Sequence, residues 1–179
     1  MSKVLLLSAG STNTSGNKKA AEYTKKYLKE KEIVSYLYDD LYSEIPFILE
    51  GGSEQPEKII QIRDTLVSCD HLIIFSPVFN GGYASHLKNT LDWLSLAFDD
   101  YKYNELFKNK KAAIVSAVLG KGGNSYNAYS SLSSQLENYG LKVFKDFYLF
   151  SSNNNLEQRL KENTQIKEFN NFLDDYLKS

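Results

Sequence analysis

The sequence predicts an α/β fold in which a doubly wound, five-stranded parallel sheet carries helices on both faces. Strand and helix patterns alternate from one end of the chain to the other. The strand patterns are nearly continuous apolar runs, which is typical of parallel strands that are buried on both faces. The 179 residues contain no internal repeat and no linker, so residues 1–179 are predicted to form a single domain.

Each strand pattern is a short apolar run bounded by turn residues. The first strand contains the run VLLL, and the third is HLIIF. The predicted strands are Lys3–Ser8, Ile33–Tyr38, His71–Phe75, Lys111–Val118 and a strand within Leu141–Phe150.

A helix pattern follows each strand. In the first helix, Ala20 and Leu28 share an apolar side and lysines occupy the other, as in an amphipathic surface helix. Pro56 suits the first turn of the second helix, and Gly140 stands where a C-cap glycine is expected. The predicted helices are Asn17–Lys31, one beginning at Pro56, one beginning near Ser85, Tyr126–Tyr139 and Leu156–Leu177.

The composition excludes several classes of function. A net charge of −1 and a pI near 6.1 lack the basic footprint of a nucleic-acid-binding protein. No apolar run approaches the roughly 18 residues of a membrane helix, and VLLL is shorter than the apolar core of a signal peptide. Cys69 is the only cysteine, which fits a reducing cytoplasm. His71 and His86 have no ligand-spaced partners, so no metal site is expected.

The segment SPVFNGGYASHLKNTLDWLS, residues 76–95, follows the third strand. Pro77 and the turn-forming Asn80-Gly81-Gly82 shape its loop, and Phe79 and Tyr83 add two aromatic rings. A shaped loop between a strand and a helix is where an open α/β sheet holds a ligand. These residues indicate a flat ligand with polar edges.

The loop after the first strand, Ala9 to Asn17, is unusually polar. Backbone N–H groups at a helix N-terminus, supplemented by hydroxyl donors, can hold a phosphate without arginine. The alternative is a plain N-cap, which needs only one such residue. Six polar side chains within nine positions favour the phosphate interpretation. They are Ser11, Thr12, Asn13, Thr14, Ser15 and Asn17.

Other phosphate motifs do not fit this loop. Five residues separate Gly10 from Gly16, whereas a Walker loop has four between its glycines, followed by Gly-Lys-Ser/Thr. The dinucleotide fingerprint G-x-G-x-x-G is absent, as is the nucleophilic cysteine of a phosphatase. In the strand order 2-1-3-4-5, strands 1 and 3 are neighbours, so the polar loop and the aromatic loop would share one crevice.

Together these residues resemble the NADPH-dependent FMN reductase family, the flavodoxin-like group that includes quinone, azo-dye and chromate reductases. The resemblance covers residues 3 to 150. Ser15-Gly16-Asn17 matches the family's Ser-x-Asn, and Leu87 to Trp93 matches its Leu-Lys-Asn-x-x-Asp-Trp. A glycine loop, Gly120 to Gly123, follows the fourth strand as in the family.

The resemblance implies a flavodoxin-like fold and an FMN site built from three loops. Ser11, Ser15 and Asn17 would hold the phosphate, and Phe79 would lie beside the isoalloxazine ring. The full set of implied cofactor-binding residues is Ser11, Asn13, Ser15, Gly16, Asn17, Pro77, Val78, Phe79, Asn80, Gly81, Ser116, Gly120, Gly122 and Gly123.

The chain departs from the family pattern at three places. Thr12 or Asn13 stands where the first loop often has an arginine, which bears on the affinity for phosphate and on the choice of NADPH. Val78 replaces the usual glutamate. Ala84 and Ser85 replace the usual Pro-Gly at the entry to the helix.

The implied function is an FMN-dependent NAD(P)H oxidoreductase that passes hydride from a nicotinamide through bound flavin to a small acceptor. That acceptor would be a quinone, an azo compound, a metal oxyanion or a free flavin. No catalytic side chain is assigned, because the cofactor carries the chemistry. Two alternatives are a flavodoxin-type electron carrier, although flavodoxins are generally more acidic, and a partner module of the same fold without flavin.

The third helix suggests how the chain assembles. Leu87, Leu91, Leu94 and Phe98 form one apolar stripe, while Trp93 lies off it. A helix that is apolar on more than one side is buried on more than one side. A homodimer or homotetramer through residues 85–98 is therefore predicted, with Lys88, Asn89 and Asp92 on a solvated or interface face.

Overall fold

A computed structural model describes residues 2–49, 54–120, 122–152 and 163–179. A short 3₁₀ helix, Glu105–Phe107, precedes the fourth strand of the main sheet. The strands and α-helices, in chain order, are β1 (Val4–Ser8), α1 (Gly16–Glu30), β2 (Ser35–Tyr38), α2 (Glu57–Val67), β3 (His71–Phe75), β4 (Val78–Phe79), β5 (Gly82–Tyr83), α3 (Ser85–Ser95), β6 (Lys111–Leu119), α4 (Ser125–Asn138), β7 (Lys142–Ser152) and α5 (Asn163–Lys178).

The main sheet has five parallel strands in the order β2-β1-β3-β6-β7. This is the predicted order 2-1-3-4-5, because β6 and β7 are the fourth and fifth predicted strands. The flavodoxin-like fold class is thereby confirmed. β1 and β3 are neighbours that align from Val4 opposite His71 to Ser8 opposite Phe75, so the loops that follow them leave the same edge of the sheet.

Helices cover both faces of the sheet, and the strand residues alternate between two apolar cores. One core contains Leu5, Leu72 and Ile74 together with side chains of α2, α3 and α4. The other contains Leu6 and Ile73 together with side chains of α1 and α5. The apolar strand patterns in the sequence therefore reflect burial on both sides.

The predicted boundaries shift by a few residues. β2 begins at Ser35 rather than Ile33, and Pro56 is the N-cap of α2 rather than a residue of its first turn. Gly140 follows α4 as a C-cap glycine, because its N–H group donates to the Glu137 carbonyl. The predicted last helix, Leu156–Leu177, is described only from Asn163 onward, and residues 153–162 lie outside the described part of the chain.

The loop after β3 contains a β-hairpin, where the sequence predicts only a turn. β4 and β5 pair with Val78 opposite Tyr83, which leaves Asn80 and Gly81 as a two-residue turn. Both have positive φ, 51° and 82°, the geometry of a type I′ turn and a reason for Asn-Gly at this place. The base is held by Ser76, whose Oγ accepts from the Ala84 N–H at 3.1 Å.

Residues 41–49, here called the covering loop, explain the second buried side of α3. The Pro46 carbonyl accepts from Asn89 Nδ2 at 2.9 Å and from Trp93 Nε1 at 2.8 Å. The Ile48 N–H donates to Asn89 Oδ1 at 3.0 Å. Asn89 was expected on a solvated or interface face, but it is buried with Trp93. The chain's own covering loop thus buries this side of α3. The apolar second side of the helix therefore no longer supports a dimer through residues 85–98, which stays a prediction.

His71 is a buried histidine at the start of β3. The ring is 5% exposed, packs edge-on against Tyr176 at 5.2 Å, and its Nδ1 has no hydrogen-bond partner among the described residues. Burial lowers the pKa of His71 below its usual value, and the nearby Lys111 lowers it further. The folded protein therefore favours the neutral ring.

The hairpin turn predicts a difference between two adjacent glycines. Gly81→Ala places a side chain at φ 82° and is expected to lower the free energy of unfolding by about 1 kcal/mol. Gly82→Ala is the matched control, since Gly82 does not have positive φ. The nearest atom to the added Cβ would be the Phe79 carbonyl oxygen at 3.5 Å, an ordinary contact. Urea unfolding measures both variants, and equal midpoints would contradict the turn geometry.

His71 predicts a specific loss of stability in acid. The unfolded chain takes up a proton at the ordinary histidine pKa of about 6.5, whereas the folded chain resists protonation until a lower pH. The free energy of unfolding should therefore fall as the pH is lowered from about 7 to about 5. In His71→Gln this loss should be smaller. Urea unfolding across that pH range is the measurement, and identical slopes for the two proteins would show that His71 does not contribute.

Candidate functional site

A crevice of about 760 Å³ lies at the carboxyl edge of the sheet. The segments after β1 and β3 form one side, and the end of β6 with the start of α4 forms the other. Its volume falls within the range of small-molecule and cofactor sites. Its position is the switch point of a doubly wound sheet, where the chain leaves neighbouring strands in opposite directions.

The polar loop after β1 leads directly into the N-terminus of α1. Gly10 permits this path, because a Cβ there would clash with the Ser15 side chain and lie 3.1 Å from the Lys18 nitrogen. Ser15 is the N-cap residue, yet its hydroxyl makes no capping hydrogen bond. The plain N-cap alternative therefore does not account for the loop.

The first turn of α1 is electrostatically suited to an anion. It contains no acidic residue, so no carboxylate offsets the partial positive charge at the helix N-terminus. Lys18 lies in the same turn and is 3.6 Å from Asp39. Ser11, Thr12 and Thr14 border the same end of the crevice with their hydroxyl groups.

Asn17 lines the crevice but uses its side chain elsewhere. Its Nδ2 donates to the Ala117 carbonyl at 3.0 Å, and its Oδ1 accepts from the Ala117 N–H at 2.9 Å. The residue is 2% exposed. Both polar atoms of the amide are therefore engaged with β6, so the start of α1 and the end of β6 meet directly at this point of the crevice.

The hairpin separates the two aromatic rings of its loop. Phe79 is 56% exposed and lines the crevice. Tyr83 instead packs against the core, and burial raises its pKa, with a further contribution from Asp92. Only one of the two rings is thus placed for contact with a ligand. The tip of the hairpin lies beside the start of α4, since a Cβ on Gly81 would be 3.6 Å from that of Asn124.

The opposite wall ends at the N-terminus of α4. Gly122 has a positive φ of 70°, and a Cβ there would lie 2.9 Å from Leu149 and 3.1 Å from the Ser125 hydroxyl. Ser125 lines the crevice, is buried, and within the described ranges its hydroxyl has no hydrogen-bond partner. A second helix N-terminus and an unpaired hydroxyl therefore border the crevice opposite α1.

Most of the predicted site residues meet in this crevice. The three that are not among its lining residues are Asn13, Ser116 and Gly120. Ser116 is buried in β6, one residue before the part of that strand that lines the crevice. The predicted residues that line it are Ser11, Ser15, Gly16, Asn17, Pro77, Val78, Phe79, Asn80, Gly81, Gly122 and Gly123.

Several other residues line the crevice that are not among the predicted site residues. Thr12 and Thr14 were visible as hydroxyls of the same loop. The end of β6 carried no signal, because it reads as an ordinary apolar strand. The additional lining residues are Thr12, Thr14, Ala117, Val118, Leu119, Asn124 and Ser125.

Two expectations about other kinds of site can be compared with the structure. Among the described residues, no group of three or more His, Cys, Asp or Glu side chains is arranged to hold a metal ion. In the same part of the chain, no helix has both the length and the apolar character needed to cross a membrane.

Several solved structures share this fold at low sequence identity. The apo form of the NADH:FMN oxidoreductase EmoB superposes with a TM-score of 0.76 and 17% identity, over 98% of this chain and 88% of that one. FerB, a flavoenzyme NAD(P)H:(acceptor) oxidoreductase from Paracoccus denitrificans, has a TM-score of 0.74 and 19% identity, over 99% and 98%. An FMN-dependent NADH-azoreductase from Bacillus anthracis, solved with FMN, has a TM-score of 0.64 and 17% identity, over 97% and 99%.

Curated relatives match a shorter part of the sequence. The FMN-dependent NADH:quinone oxidoreductase of Burkholderia pseudomallei (strain 1710b) is 38% identical over 66 residues, which are 34% of this chain and 33% of the relative. That of Burkholderia thailandensis is 38% identical over 81 residues, 40% and 41% of the two chains. The chain thus spans between a third and two-fifths of the length of these relatives.

The family assignment rests on a longer match. Residues 2–155 fit the family described as NADPH-dependent FMN reductase. They include all three loops of the crevice as well as β1 to β7. The chain therefore belongs to the NADPH-dependent FMN reductase family.

Proposed function

We propose that the chain is an FMN-dependent NAD(P)H oxidoreductase that passes hydride from a nicotinamide through bound flavin to a small acceptor. Family membership and the crevice support this proposal. The single observation that carries it is the uncapped N-terminus of α1 inside a hydroxyl-rich loop, in the same crevice as an exposed aromatic ring. A phosphate suits the first feature and a flat ring system suits the second.

The α1 end of the crevice fits the phosphate of FMN. The backbone N–H groups of Gly16 and Asn17 belong to the first helical turn, where no intrahelical acceptor exists. The hydroxyls of Ser11 and Ser15 lie beside them. Such an arrangement binds a phosphate dianion through N–H donors and the helix dipole. These donors would take the place of the arginine that the loop lacks.

The hairpin and the start of α4 fit the ring system. Phe79 presents an exposed ring, and the backbone from Pro77 to Gly81 lines the same wall. Across the crevice, the unpaired Ser125 hydroxyl and the N-terminus of α4 can donate to a polar ring edge. FMN has both features, an aromatic surface and a polar edge with hydrogen-bond acceptors.

The chain's own residues would orient the reactants and would not act as acids or bases. Bound FMN supplies the centre that accepts and returns hydride. Gly122, Gly123 and the α4 N-terminus would stabilise negative charge at the polar edge of the ring through backbone N–H groups. Leu119, which is 95% exposed at the end of β6, and Phe79 would border the opening through which nicotinamide and acceptor enter.

The proposal includes the classes of acceptor and the setting. The acceptors would be quinones, azo compounds, metal oxyanions or free flavin, because each of them could enter an open crevice. A cytoplasmic location and a homodimer or homotetramer through residues 85–98 remain predictions. A partner at α3 would have to contact the side chains that this helix leaves accessible, Ser85, His86, Lys88 and Asp92.

An absorption spectrum of the purified protein with FMN tests the function. We expect the flavin band to change when FMN binds, to bleach under anaerobic NADPH or NADH, and to return when a quinone is added. A matched sample without nicotinamide should keep its band.

Two results would contradict the proposal. A protein that holds FMN but oxidises neither NADPH nor NADH would be an electron carrier. A protein that leaves the spectrum and fluorescence of added FMN unchanged would be a module of the same fold without flavin.

A further inference from the structure

The end of β6 lacks a strand partner on one side. β3 pairs with β6 only as far as Phe75 opposite Val115, and the Ser76 N–H then donates to the Val115 carbonyl at 3.0 Å. β6 continues to Leu119, still paired on its other side with β7. The backbone beyond Val115 therefore faces the crevice without a neighbouring strand, in a place where unpaired buried polar groups are costly.

The side chain of Asn17 takes the place of that missing strand. Its amide both donates to and accepts from the backbone of Ala117, at 3.0 Å and 2.9 Å. This double contact resembles the pair of hydrogen bonds that two residues of antiparallel strands exchange. Ala117 is 100 positions away in the sequence, and Asn17 is almost fully buried. The contact therefore joins the start of α1 to the wall of the crevice that the end of β6 forms.

We propose that Asn17 is a positioning residue that fixes the distance between the α1 N-terminus and the wall formed by Ala117 to Leu119. The proposal rests on the proposed function, since it concerns the crevice as a flavin site. Asn17 is 2% exposed, and its Oδ1 and one of its two Nδ2 N–H bonds are paired with Ala117, so we assign its side chain to holding the wall and not to binding phosphate. The backbone N–H of Asn17 keeps its place in the first turn of α1.

This role predicts a different pattern of loss from that of a phosphate ligand. Removing the Asn17 amide leaves the Ala117 N–H and carbonyl unpaired. The backbone from Ala117 to Leu119 then shifts, and the part of the crevice that would hold the flavin ring is less well ordered. Binding of the ring then weakens whether or not a phosphate is attached to the ligand. Removing a phosphate ligand, by contrast, weakens only a ligand that carries the phosphate.

Titration with FMN and with riboflavin, which lacks the phosphate, distinguishes the two roles. Asn17→Ala should weaken both ligands by a similar factor, on the order of tenfold, so that the ratio of the two dissociation constants stays at the wild-type value. Ser15→Ala is the matched control in the same loop, and it should weaken FMN alone. Quenching of flavin fluorescence gives the six dissociation constants, one for each of the two ligands with the wild type, Asn17→Ala and Ser15→Ala.

Two results would overturn the proposal. Asn17→Ala could weaken FMN while riboflavin binding is unchanged, which would make Asn17 a phosphate ligand. It could also bind both ligands as the wild type does, which would mean that the contact does not set the crevice. If Asn17→Ala does not fold, as judged by circular dichroism, Asn17→Gln takes its place with the same expectations, since the added methylene displaces the amide.

Hydrogen exchange separates this proposal from the proposed function. In the flavin-free protein the Ala117 N–H should be protected in the wild type and exchange faster in Asn17→Ala, with Val115 as the internal reference. Equal protection of Ala117 in both proteins would overturn the positioning role. If the wild type binds neither FMN nor riboflavin, the proposed function fails, while the exchange result still decides whether Asn17 holds the wall.

Discussion

The N-terminus of α1 is the constraint on which the site depends. Its first-turn N–H groups have no intrahelical acceptors, and the Ser15 side chain that could cap them does not. An uncompensated helix N-terminus at the edge of a crevice is stabilised by a bound anion. The other features of the crevice follow from where this helix begins, after the polar loop that follows β1 and in contact with the end of β6.

Two contacts from distant parts of the chain and one local glycine hold that helix start in place. Gly10 lets the loop fold closely over Ser15, and Asn17 joins α1 to β6. The Tyr42 hydroxyl, in the covering loop, donates to the Ala9 carbonyl at 2.8 Å. Because the covering loop is also bonded to α3 through Pro46, the polar loop and the helix that follows the hairpin are connected. The two sides of the crevice are thus parts of one bonded framework.

The sequence patterns predict the strands and two of the three loops because these depend on local signals, whereas the strand order is implied by the resemblance to the family. Apolar runs such as VLLL and HLIIF mark strands buried on both faces, and hydroxyl-rich or Asn-Gly segments mark the loops between elements. The covering loop and the Asn17–Ala117 pair could not be predicted in this way, since their partners are more than 40 and about 100 positions apart. The hairpin is an intermediate case, because Asn80-Gly81 between apolar residues is a recognised hairpin signal that we interpreted as a turn alone.

The phosphorus NMR signal of FMN bound to the protein tests the central claim most directly. A free phosphate monoester takes up its second proton with a pKa of about 6. Held by N–H donors at the α1 N-terminus, the phosphate should stay a dianion, so its bound resonance should not move between about pH 5 and about pH 8. A bound resonance that shifts with the same midpoint as free FMN would contradict the account, because the phosphate would then lie in solvent and not at the start of α1.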